Sequence, residues 1–393
     1  MIAGTPVLDL DDVASLEAAD SGGTLRSAAS AGAQVRATAA AIDEDILRRL
    51  TGMRPRSLVM VSGSGRAARA AGILIAALGD RANLPVVPAT TIPPWVGPLD
   101  VVLVAGDDAG DPRLAEAVDR ALRRGAEVVV AAPDEGPLRA VAAGRATVLP
   151  PRVPVLDHNR MLRFLAVGTA VLTALDPGRI APLVPDLGSL ADLLDAEALR
   201  GGPQNESFHN PAKTLATRMR ERRIVLAGDS PAAIELAEHA AEVLLATAGQ
   251  IVASADLAET VAAHARMVEA AGVDAPGYDP LFHDEQLDGP APVDKVRVFV
   301  VTADADQVAA RRRLAVFGVG QGLVDADLVN VDVELMGAGS PAPVEGQAAP
   351  AGRGGELEQL AVLALRLEMA AAYLRLLGSR PATTPGHYDG GHY

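Results

Sequence analysis

The sequence predicts an α/β protein made of two tandem domains, each a mostly parallel sheet covered by helices on both faces. Three observations carry this. Leu58-Val59-Met60-Val61 runs into Ser62-Gly63-Ser64-Gly65 and then into an apolar helical stretch from Ala67 to Leu78. The same strand–loop–helix unit returns as Ile224-Val225-Leu226-Ala227, then Gly228-Asp229-Ser230-Pro231, then a helical stretch to Leu245, one domain length later. Each unit is followed by a second strand, Val101 to Ala105 into an Asp-rich loop and Val298 to Thr302 in the later copy. Strands that alternate with helices in this way build a parallel sheet buried on both faces.

Taken in order, residues 24–50 read as one long amphipathic helix packed on the first domain. Strands follow near 57–62, 84–88, 100–105, 126–131 and 146–149, with helices between most of them. Helical signal returns from Asn159 to Leu175, and Pro177, Pro182 and Pro185 then mark a crossover. The second domain opens with a helix over 210–221. Its strands lie near 223–227, 250–253, 296–301 and 328–335, and a closing helix spans Gly355 to Leu377. The expected division is a first domain over 24–176, a crossover over 177–209, a second domain over 210–377 and a disordered tail over 378–393. Ala275–Asp294 and Gly337–Gly354 read as long loops.

Composition limits the function. With 393 residues and 49% hydrophobic content the chain buries a sizeable core, and with aromatics at 3% that core is Ala, Val and Leu. A net charge of −15 opposes a general nucleic-acid or acidic-membrane surface. The absence of Cys excludes disulfides and thiol chemistry. Asp9, Asp11 and Asp12 near the start do not fit a signal peptide, and the longest apolar run, Ala166 to Leu175, is too short to span a bilayer. A soluble, cytoplasmic protein is expected.

The loop Ser62–Gly65 is the candidate anion site. In open α/β sheets ligands bind where strands end and helices begin. Small residues there admit an anion to the exposed amides and to the helix dipole, and Ser62 and Ser64 add hydroxyl donors. A tight turn that binds nothing is the competing reading, stronger for the second loop, where Asp229 opposes a phosphate. Gly63 to Ala68 also fits the G-x-G-x-x-A dinucleotide pattern. That pattern needs an acid at the end of the next strand, and Leu84 to Val87 ends in Pro88-Ala89-Thr90. No nicotinamide site is expected. The acidic cluster around His283 shows no metal-ligand spacing on a rigid element, so no metal is expected either.

Two copies of a strand, Ser-Gly-rich loop and helix resemble the double sugar-isomerase (SIS) domain fold. Within it the chain is similar to the bifunctional glucose-6-phosphate/mannose-6-phosphate isomerases, and more narrowly to the TobH-type actinobacterial proteins. Ser62–Gly65 resembles the first Gly-Ser loop, beside the sugar phosphate. Asn159-Arg160 falls where the family has Pro-Arg with an active-site Arg. Asn210 to Ala216 resembles the helix that opens the second domain, and Phe282-His283-Asp284-Glu285 resembles Asn-His-Asn-Glu, whose His opens the sugar ring. The resemblance implies an aldose–ketose isomerase acting on a six-carbon sugar phosphate without a cofactor, working as a homodimer, with Arg160 stabilising enediolate charge. Leu360, Leu363, Leu367 and Leu374 of the closing helix offer an apolar surface for the core or a partner.

Two departures stand against this. The family's second phosphate loop is rich in hydroxyls, whereas here it is Ala105-Gly106-Asp107-Asp108-Ala109-Gly110-Asp111. A carboxylate about 4 Å from a phosphate charge costs roughly 4 kcal/mol at an effective dielectric of 20. A hydrogen bond to a charged group returns roughly 1.5–3 kcal/mol. The family's catalytic Glu aligns with Ala246-Thr247-Ala248-Gly249, leaving Glu242 one turn earlier as the candidate base. Two functions therefore stand side by side: a sugar-phosphate isomerase of weak activity, or a non-catalytic sugar-phosphate or nucleotide-sugar sensor.

Overall fold

The structure is a computed structural model that describes residues 8–63, 65–78, 81–271, 295–303, 311–312, 314–317, 324–331 and 355–378. Three helices, α1 (Val13–Ala19), α2 (Thr24–Ala29) and α3 (Ala31–Asp43), precede the first sheet. That sheet is built from β1 (Ser57–Ser62), α4 (Arg66–Leu78), β2 (Val86–Ala89), β3 (Asp100–Ala105), α5 (Pro112–Arg123), β4 (Glu127–Ala131), α6 (Gly136–Ala142) and β5 (Thr147–Val148). Four helices follow: α7 (Met161–Leu175), α8 (Pro177–Ile180), α9 (Leu187–Arg200) and α10 (Pro211–Met219). The second sheet comprises β6 (Arg223–Gly228), α11 (Pro231–Ala248), β7 (Val252–Asp256), α12 (Leu257–Ala262), α13 (His264–Ala271), β8 (Val296–Val301) and β9 (Val324–Val329), and α14 (Gly355–Gly378) comes last.

Strand order is β2-β1-β3-β4-β5 in one sheet and β7-β6-β8-β9 in the other, and all the pairings are parallel. The first four strands of each sheet thus share one order, as a duplicated domain requires. In β1 and β3 every residue is buried, which is why both read as unbroken apolar runs. Helix starts follow local chemistry. Asp111, Ser230 and Asn210 each accept backbone N–H groups at the N-termini of α5, α11 and α10, and a proline follows each cap.

Three expectations are corrected. The single helix over 24–50 is broken at Ser30, whose hydroxyl donates to Arg26 O at 2.8 Å while its backbone N–H turns to Ser27 O at 3.2 Å. The chain then leaves helical geometry after Asp43 and passes through a left-handed Asp45, φ 61°. The crossover holds a full helix, α9, whose Leu190, Ala191 and Leu194 are buried. Gly32 of α3 comes so close to α9 that a Cβ there would stand 2.7 Å from Ala191 O. The last strand of the second sheet is Val324–Val329, earlier than the expected 328–335. Of the two roles open to the closing helix, the core is the one it takes: α14 is buried on nearly all sides, with Leu360, Leu363, Leu367 and Leu374 all inside the chain's own core. Those leucines are therefore not free for a partner subunit.

The two halves meet helix to helix. α4 and α11, the helices that follow the two equivalent loops, pack directly on each other, and α14 packs on α11 and also touches α4. This brings the mouth of the first loop against the second domain. The expected loops 275–294 and 337–354 and the tail lie outside the described residues, apart from Gly378 at the end of α14.

Candidate functional site

β1 ends at Ser62, which is buried, and Gly63 and Gly65 lead into α4 at Arg66. Gly65 adopts φ +81°, a left-handed conformation that favours glycine. Among the described residues a Cβ built at Gly65 meets nothing within 4 Å, and one at Gly63 meets only Asp111 Oδ2 at 3.8 Å. The first loop is therefore open. In the second unit the backbone packs tightly on its helix: a Cβ at Gly228, the last residue of β6, would stand 2.3 Å from Ile234 N, and the Ser230 hydroxyl is occupied by Ala233 N at 3.2 Å. The second loop is thus more tightly packed at its glycine and has its serine committed to capping α11.

Beside the open loop runs the turn after β3, since Ser62 and Ala105 are register partners. Its three aspartates differ. Asp108 Oδ1 accepts Gly110 N–H at 2.7 Å, and Asp111 Oδ1 accepts Arg113 N–H at 2.8 Å, so both shape the turn and cap α5. Asp107 instead faces Arg160, with Oδ1 3.1 Å from Nη1. Arg160 also reaches Asp157 Oδ1 at 2.8 Å. Burial lifts the Asp107 carboxyl above its usual range, against the pull of Arg160 and Arg163. Arg163 is buried, donates to Leu149 O at 2.6 Å, and is drawn down to about 10 by burial, so it remains a cation at neutral pH.

The second domain closes the other side. Arg66 Nη1 donates to Glu242 Oε2 at 2.5 Å, and Arg69 donates to Glu242 Oε1 through Nε at 2.9 Å and Nη2 at 2.8 Å. Arg69 also pairs with Glu235 at 3.3 Å and with Glu238. Both oxygens of Glu242 are thus taken by guanidinium groups. Behind Arg160 lies a buried polar chain. Ser27 Oγ donates to Asn159 Oδ1 at 2.8 Å, and Asn159 Nδ2 donates to Glu368 Oε2 at 2.7 Å. Glu368 Oε1 lies 2.9 Å from His239 Nε2. The neighbouring His158 is held below its ordinary value by burial, against the pull of Glu368.

Of the residues expected from the sequence, Ser62, Gly63, Gly65 and Arg160 lie around the ends of β1 and β3. Glu242 stands at the junction of α4 and α11. Ser64 and His283 lie outside the described residues. The sequence reading missed the Asp107–Arg160 pair, and also Arg66, Arg69, Glu368 and His239. Part of this was available as a pattern: Arg66 and Arg69 one turn apart face a stripe of Glu235, Glu238 and Glu242 at helical spacing. Among the described residues no group of three or more His, Asp or Glu is placed to hold a metal ion, and no helix is long and apolar enough to cross a membrane.

No protein-family model matches the sequence, and no curated protein matches it. Solved structures do. A protein from Silicibacter pomeroyi assigned as a phosphosugar isomerase aligns with a TM-score of 0.58 at 16% identity, over 89% of this chain and 96% of that one. Tagatose-6-phosphate ketose/aldose isomerase from Escherichia coli aligns at 0.53 and 13%, over 95% of each chain. The C-terminal domain of glucosamine-fructose-6-phosphate aminotransferase from Francisella tularensis aligns at 0.54 and 7%, over 90% and 94%. The chain therefore has the double-domain α/β fold that these phosphosugar isomerases share, with two parallel sheets flanked by helices.

Proposed function

We propose that the protein binds a hexose 6-phosphate at the β1–α4 loop and interconverts its aldose and ketose forms. The observation that carries this reading is the open space that the described residues leave over Gly63 and Gly65 at the N-terminus of α4. Backbone amides, the helix dipole and the Ser62 and Ser64 hydroxyls supply the anion site. Arg160 supplies positive charge for an enediolate, and His283 opens the ring. Proton transfer alone completes the reaction, so no cofactor is required. Within this class, the resemblance of the sequence favours glucose 6-phosphate and mannose 6-phosphate as substrates, in the manner of the TobH-type proteins, in the cytoplasm. Calorimetry with fructose 6-phosphate, joined to a coupled assay of its isomerisation, tests both parts. Binding with slow turnover is expected. Binding with no turnover leaves a non-catalytic sugar-phosphate sensor, and absence of binding ends the reading.

The same resemblance supports a homodimer, because that family builds its sites between subunits. With the leucines of α14 used internally, the contact has to come from elsewhere. Light scattering at micromolar concentration is expected to give twice the chain mass of 40.3 kDa. A mass of one chain overturns the dimer.

A further inference from the structure

We propose that Asp107 is the proton-carrying carboxylate of the isomerisation, in place of Glu242, and that Glu242 is a positioning residue that holds Arg66 at the loop. The assignment rests on the sugar-phosphate reading above. Proton transfer between adjacent sugar carbons needs a carboxylate beside the bound sugar, near a cation and with one oxygen left for the proton. Glu242 fails the last condition, because Arg66 and Arg69 take both of its oxygens. Glu368 fails the first, being 2% exposed and closed in by His239 and Asn159. Asp108 and Asp111 hold backbone N–H groups of their own turn through Oδ1, and among the described residues neither has the ion pair with a cation that Asp107 has. Asp107 remains. It stands two residues past the end of β3, beside the open loop that follows the neighbouring strand β1. Parallel neighbours of this kind lie about 4.8 Å apart, so a sugar whose phosphate sits on Gly63–Gly65 reaches across the adjacent turn. Arg160 Nη1 is 3.1 Å from its carboxylate, placing one cation against both the base and the oxygens of the reacting carbons.

The step balances without a further reactant. Asp107 takes the proton from C2 of the aldose while O1 gains a proton, giving the enediol. Asp107 then returns its proton to C1 as the O2 hydroxyl loses its own and becomes the ketose carbonyl. One proton moves from C2 to C1, another from O2 to O1, and nothing is oxidised or reduced overall. The carboxylate that opposes a phosphate in its own turn is, on this view, what makes the turn a reaction centre, with the phosphate on the first loop.

The charged groups facing Asp107 are Arg160, Arg163 and Asp157, and burial outweighs the two cations in raising its titration above the ordinary 3.8. A base with a raised value is active above it, so kcat/KM should fall as pH drops through a value higher than that of a free aspartate. In the full chain, Asp107→Asn is expected to lower kcat for fructose 6-phosphate by about 10²- to 10⁴-fold, with affinity changed less than threefold, and to stop deuterium exchange from solvent into the sugar carbons. Asp107→Glu keeps the carboxylate and should recover part of the turnover with its acid limb shifted. Turnover in Asp107→Asn within threefold of the native chain, while the native chain isomerises the sugar, overturns this assignment and leaves the proposed reaction standing. Loss of binding in step with turnover, or no recovery in a folded Asp107→Glu, also overturns it. A native chain that binds the sugar and exchanges no deuterium overturns both the base and the isomerase reading.

Discussion

Gly63→Asp is expected to weaken hexose 6-phosphate binding about 1,000-fold while leaving the fold intact. The position tolerates a side chain, since a Cβ there meets only Asp111 Oδ2, at 3.8 Å, and its backbone is not left-handed. The new carboxylate would stand about 4 Å from a phosphate seated on the loop. At that distance two charges repel by roughly 4 kcal/mol at an effective dielectric of 20, and 1.4 kcal/mol is a factor of ten. Gly63→Ala adds bulk without charge and should lose far less. Calorimetry on the two variants separates charge from shape, and a melting curve checks the fold. Equal affinity in Gly63→Asp and the native chain would remove the β1–α4 loop from the phosphate site. Gly65 is the poorer position for this test, because φ +81° strains any residue with a side chain and confounds the charge effect.

The parts of the fold legible in the sequence are those set by local pattern. Valine and leucine runs marked β1, β3, β6 and β8 because strands buried on both faces carry no polar alternation. Asn210-Pro211 marked the start of α10, where the Asn210 side chain accepts Ala212 and Lys213 N–H at 3.0 Å each. What escaped depends on partners far along the chain. β9 alternates Asp325 and Asp327 with apolar residues and so looks exposed, yet Arg297 and Arg218 come to those acids. α14 shows Arg366 and Glu368 and so suggests a wetted face. Arg366 is in fact buried against Glu197 at 2.6 Å, and Glu368 against His239 and Asn159. An acid or a base in a helix says nothing alone about which distant residue neutralises it.

The same reasoning explains the asymmetry of the two halves. Both loops follow the same pattern of strand, small residues and helix, and sequence could rank them only by the presence of Asp229. Packing decides the matter more firmly. Gly228 lies so close to the first turn of α11 that no side chain fits, whereas Gly63 and Gly65 face open space. The second unit supplies α11 as a wall for the first through Glu235, Glu238 and Glu242. The candidate site thus belongs to the first domain in its loops and to both domains in its charge.

Glu368→Ala should destabilise the chain by about 2–6 kcal/mol, because two buried donors lose their acceptor at roughly 1–3 kcal/mol each. Glu368 comes from α14, and its two oxygens receive His239 of α11 and Asn159 of the segment before α7. Alanine would leave His239 Nε2 and Asn159 Nδ2 without acceptors in a region that water does not reach, as both residues are buried. Each orphaned donor costs roughly 1–3 kcal/mol. The chain of bonds does not stop there. Asn159 Oδ1 holds Ser27, and its carbonyl oxygen accepts Gln34 Nε2 at 2.9 Å, so α2 and α3 loosen with it. Arg160 is the next residue, and its hold on Asp107 depends on Asn159 staying in place. Glu368→Gln keeps an acceptor for one donor and should lose about half as much. Urea denaturation of the three proteins measures the difference, and an alanine midpoint equal to that of the native chain would show that this buried network contributes nothing. A second readout tests the link to the site. The loss of turnover in Glu368→Ala should exceed that in Glu368→Gln at a temperature where both remain folded, because Arg160 moves with Asn159. Equal turnover in the two would separate the network from the chemistry and leave it a purely structural clasp between the domains.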